Sequence, residues 1–325
     1  MNDLLWSLIA WGYQVLLQIE LLRSDLLDVV FPLISDLGSE ISYLTILSVV
    51  YWCINKYIGQ GLSYAFLLAA TLNTWLKDLW RIPRPDSPAL ELDLDEAEIA
   101  VRLRPLRHET SPSFPSGHTQ GAVVAWGYMA VRFARRWFWI IAAVIAGLIA
   151  FSRMYLGVHF PQDVIAGFLI GVLYLGAWLW AEPRLRQRMS AASRLGRYAL
   201  ATLIPVCVLL IHPTDGTATT LGALIGLGVG YVLESETLRF SVSGPLWQRL
   251  ARALVGLLLV GIAYGGLSAL FGLFDERMGV VMEIVWRTLR YGLVGFVGGW
   301  GAPWAQMRLG LLNRERDPQS QKGAS

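Results

Sequence analysis

At 325 residues the chain is 55% hydrophobic and only 16% charged, where a soluble domain carries about 25% charged residues. Long uncharged runs alternate with short charged clusters, which excludes an ordinary soluble globular protein and points to several membrane crossings. The formal net charge of +3 is too small to call for a nucleic-acid partner, and the two cysteines, Cys53 and Cys207, lie in apolar runs with neither a disulfide framework nor metal-ligand spacing.

A crossing helix needs about 20 largely apolar residues. In chain order the candidate spans are 4–19, 41–55, 57–76, 118–131, 137–151 and 164–181, then 198–211, 216–233, 253–274 and 291–307. The first lacks a basic leader and a small-residue cleavage site, so it is expected to be retained. The run 26–37 is apolar but too short to cross, and is expected to lie in the interface or to re-enter. The fold class that follows is all-α: a polytopic membrane helix bundle of six front helices and about four rear ones. Residues 182–197 are polar and basic and serve as a cytoplasmic linker between a front domain, 1–181, and a rear membrane region, 198–308; a disordered tail is expected over 309–325.

Arginine clusters after the fourth, sixth, eighth and tenth spans fall on one side, which should be cytoplasmic. The 82–116 loop then faces the extracytoplasmic side of the cell membrane. Its arginines, Arg84, Arg102, Arg104 and Arg107, break the simple rule, and the acidic run 91–98 offsets them. In the rear half Gly222, Gly226 and Gly230, then Gly261 and Gly265, then Gly295 and Gly299 recur every four residues, which lets helix backbones approach closely. Packing within the chain is the plainer reading, and a homodimer through these helices the alternative.

Three segments bring polar and charged groups to span ends on that one side: Lys77 with Arg84-Pro85; Pro115-Ser116-Gly117-His118; and Ser152-Arg153 with His159 and Asp163. Ionisable groups there are costly unless paired or used. If the segments converge, Lys77, Arg84 and Arg153 form a cationic cage suited to a tetrahedral dianion. Ser116 is an N-cap type of residue and Gly117 admits close backbone approach, so amides at that helix start would face a phosphate. His159 and Asp163 are four apart, on one face if a helix begins nearby. An aspartate on one ring nitrogen fixes the tautomer and leaves the other free to attack phosphorus. His118 would then protonate the leaving alkoxide and later activate water. No carboxylate cluster near the motifs suits a metal pair, so neither metal nor other cofactor is expected. His108, between Arg107 and Glu109, reads as a solvated loop residue, and Arg107 as an interfacial anchor before a head-group ligand.

The patterns K-x6-R-P, P-S-G-H and S-R-x5-H-x3-D are all present in order, and in this the chain resembles the type-2 phosphatidic acid phosphatase superfamily. The resemblance spans about 57–181. It implies a phosphatase core in which Lys77, Arg84, Ser116, Gly117 and Arg153 bind phosphate, with His118 as acid/base, His159 as nucleophile and Asp163 as its partner. It says nothing of the rear helices. The expected function is metal-independent hydrolysis of a membrane lipid phosphate or diphosphate through a phosphohistidine. A phosphotransferase using the same intermediate, and a lipid transporter or flippase, are the competing functions. No motif reads the lipid tail.

Overall fold

The computed structural model of the chain describes residues 3–86, 105–272 and 279–315, without the side chains of 3–6 and 271. The acidic run 91–98, Arg102 and Arg104 lie outside the described residues, as does 316–325 of the expected tail. The helices are α1 (Asp3–Glu20), α2 (Asp25–Asp36), α3 (Glu40–Val49), α4 (Lys56–Trp80), α5 (Gly117–Phe133), α6 (Arg136–Tyr155), α7 (Pro161–Ala191), α8 (Arg194–Ile211), α9 (Asp215–Thr237), α10 (Leu246–Gly272), α11 (Val280–Phe296) and α12 (Ala302–Arg308). Wide π-helical turns, Val50–Ile54 and Val297–Gly301, follow α3 and α11. The strands β1 (Phe240–Ser241) and β2 (Asn313–Arg314) pair antiparallel.

Helices α6, α7, α8, α9 and residues 246–270 of α10 are long and apolar enough to cross a membrane. The other apolar runs are helical too, but α5 and α11 stop at 17 residues, and α4 carries Asn73, Lys77 and Asp78 in its last two turns. The short run expected to lie flat or re-enter is α2; with Glu40–Ile54 it makes a pair bent by 55°, a broken crossing or a re-entrant loop. In the basic stretch after residue 181, α7 continues to Ala191 and α8 begins at Arg194.

The chain forms two compact units. The first comprises 1–43 and 69–181. In it Ile9, Tyr13, Leu16 and Ile19 of α1 pack with Tyr155 and Phe160, anchoring both ends of the turn that joins α6 to α7. The second comprises 44–68 and 182–325. There the glycines are used within the chain: a Cβ at Gly226 would fall 1.8 Å from the Gly292 carbonyl, and one at Gly222 2.5 Å from that of Thr288, so α9 lies directly against α11. Positions 261 and 265 on α10, by contrast, meet nothing within 4 Å among the described residues.

Candidate active site

The site belongs wholly to the first unit. Its centre is the turn between α6 and α7. Gly157, at φ +71°, takes the left-handed conformation that glycine adopts without penalty, and Val158, His159 and Phe160 then lead into α7. Helix α7 opens on Pro161, whose fixed φ and missing N–H suit a first turn. Asp163 lies in that turn and its Oδ2 accepts a hydrogen bond from the Phe160 amide at 2.8 Å. The carboxylate thus caps its own helix while standing 3.4 Å from His159 Nδ1. The four-residue spacing therefore works through the cap, because His159 precedes the helix rather than sharing a face of it.

Ser113 completes this corner. Its hydroxyl donates to Asp163 Oδ2 at 2.5 Å and lies 3.3 Å from His159 Nδ1. The other ring nitrogen of His159, Nε2, is 3.2 Å from Arg84 Nη1. His159 and Asp163 are buried. Burial first, and then the charges of Arg84, Arg153 and Lys77, push the His159 imidazolium well below the ordinary histidine range, so the ring is held neutral.

The cage cations converge, and all three are engaged by the chain itself. Arg84 donates from Nε to the Ser111 carbonyl at 2.6 Å and from Nη1 to the Val158 carbonyl at 2.7 Å. Its Nη2 pairs with Glu109 Oε2 at 2.8 Å. Arg153, fully buried near the end of α6, donates to Ser35 Oγ at 2.6 Å and to Glu109 Oε1. Lys77 donates to the Pro112 carbonyl at 2.5 Å and to Ser111 Oγ at 3.2 Å. Burial alone would raise the Glu109 carboxyl, but Arg153 and Arg84 outweigh it and hold it at about 2.

Ser116 sits where an N-cap should, accepting from the Thr119 amide at 3.4 Å and the Thr119 hydroxyl at 3.0 Å. Its own amide donates to the Asp163 carbonyl at 3.0 Å, which fastens α5 to α7. Gly117 is required by a neighbour, since a Cβ there would lie 2.7 Å from Asn73 Oδ1. His118 follows in the first turn of α5, where a Cβ on Gly38 would come within 3.1 Å of its ring. Arg107 makes a two-point ion pair with Asp36, at 2.6 and 2.8 Å. His108 is exposed and pairs with Asp86. Sequence reasoning missed Glu109, Ser111, Ser113 and Ser35. The only signal for Ser111 and Ser113 was their nearness to Pro115-Ser116-Gly117-His118; Ser35 and Glu109 had none, Glu109 following His108, which reads as solvated.

Family comparison decides which class of protein builds this site. The model of the PAP2 superfamily matches residues 60–187, and that of the PAP2 superfamily phosphatase transmembrane extension matches 218–316. Phosphatidylglycerophosphatase B of Bacillus subtilis is 31% identical over 166 residues, covering 47% of this chain and 74% of that protein. The chain belongs to the PAP2 superfamily. It is a membrane phosphatase of that superfamily, and its rear part from within α9 onward, on which the motifs are silent, matches the superfamily's own transmembrane extension. Two further relatives align over most of this chain. Lipid phosphate phosphatase delta of Arabidopsis thaliana is 24% identical over 77% of the chain, the match spanning 64% of the plant protein's length. Sphingosine-1-phosphate phosphatase 2 of Homo sapiens is 23% identical over 86% of the chain and 77% of its own length.

Proposed function

We propose that this PAP2 phosphatase hydrolyses a lipid phosphate on the extracytoplasmic side of the cell membrane, through a phosphohistidine on His159 and without a metal ion. The observation that carries the reading is the orientation of the His159 ring. Nδ1 faces Asp163 and Nε2 faces the guanidinium of Arg84, so the nitrogen turned to the cage is the one free to act as a nucleophile.

In the first step the Nε2 lone pair attacks phosphorus and the bond from phosphorus to the lipid oxygen breaks. Protonated His118 gives its proton to that oxygen. In the second step neutral His118 takes a proton from water as the water oxygen attacks phosphorus, the P–N bond breaks, and phosphate leaves with His159 restored. Arg84, Arg153 and Lys77 carry the charge that spreads over the equatorial oxygens. Ser116 and Gly117 set the start of α5, whose amides add donors. Asp163, steadied by Ser113, keeps the proton on Nδ1.

A single phosphate fits the remaining charge better than two. Of the two described arginines that could have met a second phosphate, Arg107 is taken by Asp36, and Arg81 donates from Nε to the Asp78 carbonyl. The relatives that extend into the rear half are, by name, phosphatases of lipid phosphate and of sphingosine-1-phosphate. The place of the motifs at helix ends supports entry from the bilayer, with the cage near head-group depth.

The test is phosphate release by the purified full chain in detergent with excess chelator, using lipid monophosphates and diphosphates. The wild type should turn over and yield an acid-labile phosphoprotein. His159→Ala should lose activity by roughly 10⁴-fold and give no phosphoprotein while melting as the wild type does. Near-normal turnover by a folded His159→Ala, or a wild-type rate that collapses in chelator and returns with magnesium, would remove the reading.

A further inference from the structure

Glu109 bridges the two cage arginines as a phosphate would, with Oε2 on Arg84 and Oε1 on Arg153. Two guanidinium groups buried in the first unit repel each other and lose their hydration, so an anion between them is required even when the site holds no substrate. Asp163 turns its Oδ2 to Ser113, the Phe160 amide and His159, and the carboxylate that pairs with both arginines is that of Glu109. The segment bearing Glu109 is fixed on both sides, by Arg107 to Asp36 before it and by Ser111 to Arg84 and Lys77 after it. A side-chain rotation therefore suffices to withdraw the carboxylate. Its side chain is 29% exposed, whereas Arg84 and Arg153 are 3% and 0% exposed; the carboxylate has a way out to water and the cations do not.

We infer that Glu109 is the internal counter-ion of the phosphate site: it occupies the anion position between Arg84 and Arg153 in the empty enzyme, withdraws when a phosphate enters, and returns to displace the product. This rests on the reading of those two arginines as phosphate ligands. A tethered competitor weakens every anion by the fraction of time it leaves the site open. It keeps the two buried arginines and Lys77 from retaining inorganic phosphate, the product of each turnover. At about 2 its carboxyl stays ionised through the working pH range, so the competition is always present.

The probe is inorganic phosphate, measured as an inhibitor of lipid monophosphate hydrolysis and by calorimetry on the full chain in detergent. Glu109→Gln keeps the shape and an accepting oxygen but removes the charge. It should bind phosphate roughly tenfold or more tighter than the wild type, with KM falling in the same direction. Glu109→Ala, in which no amide can stand in for the carboxylate, should also tighten phosphate binding. If Glu109 only braced the fold, both variants would melt lower and bind phosphate more weakly, which overturns the inference. Unchanged affinity in a stable Glu109→Gln overturns it as well and leaves the phosphatase reading standing. Failure of the wild type itself to bind phosphate, with lipid monophosphate left unhydrolysed, would instead strike the phosphate cage and take the inference with it.

Discussion

Both units of this protein bury charge, and they do so to different ends. In the second unit Arg252 is completely buried and spends its guanidinium on three backbone carbonyls, those of Leu311, Val242 and Ser243, at 2.6–2.8 Å. Lys56 ends on the Phe240 carbonyl at 2.9 Å and beside Glu234, which in turn accepts the Phe240 amide. These contacts fasten β1 and the segment before β2 to helix ends; Lys56 also pairs with the exposed carboxylate of Glu315 at 3.1 Å. In the first unit Arg84, Arg153 and Lys77 end partly on hydroxyls and on a carboxylate that reaches water. Arg252, held by backbone carbonyls, is a fastening, whereas Arg84 and Arg153 share a carboxylate that reaches water and can be replaced.

The sharpest way to break that contrast is to change the catalytic corner without disturbing its shape. Asp163→Asn should keep fold and KM but lower kcat by about 10²–10⁴-fold, because the amide no longer holds the reactive tautomer of His159. A kcat within a few-fold of wild type, in steady-state assays on a monophosphate lipid, would mean that the aspartate serves only as a helix cap.

A smaller effect, of a different kind, is expected in the second unit. Gly226→Ala forces a Cβ onto the Gly292 carbonyl, and overpacking of this sort costs about 1–3 kcal/mol. Thermal melting in detergent should therefore fall by several degrees, while phosphate inhibition of the surviving folded enzyme stays as in the wild type. A change in phosphate affinity with an unchanged melting temperature would erase the division between framework and site.

The smallest effect concerns acid stability. Glu109 is held at about 2 against an ordinary value of 4.5. A depressed folded value means that its stabilisation is complete above the ordinary value and fades as pH falls from about 4.5 toward 2. Melting curves across that window should drop less steeply for Glu109→Gln than for the wild type. Parallel curves would show that the carboxylate is not stabilised by the two arginines.

The sequence by itself determined the membrane class, since runs of uncharged residues have no stable place in water, and it picked out the helix ends whose polar groups come together. Spacing was enough for Lys77, Arg84, His118, Arg153, His159 and Asp163, because short local distances along a chain survive folding: Asp163 can cap its helix beside His159 in any fold that starts α7 at Pro161. Two things were left to tertiary structure. One was the destination of 44–68, an apolar stretch like its neighbours, which packs in the second unit because Tyr51 and Trp52 donate to the carbonyls of Gly299 and Gly298, some 250 residues away in sequence. The other was the set of partners that complete the cage. Ser35 meets Arg153 across 118 residues and Glu109 meets it across 44, and neither serine nor glutamate has a periodicity that foretells such a meeting. What decides those contacts is the need of each buried guanidinium for a partner within hydrogen-bond reach, and which residue comes within reach is settled only when the helices pack.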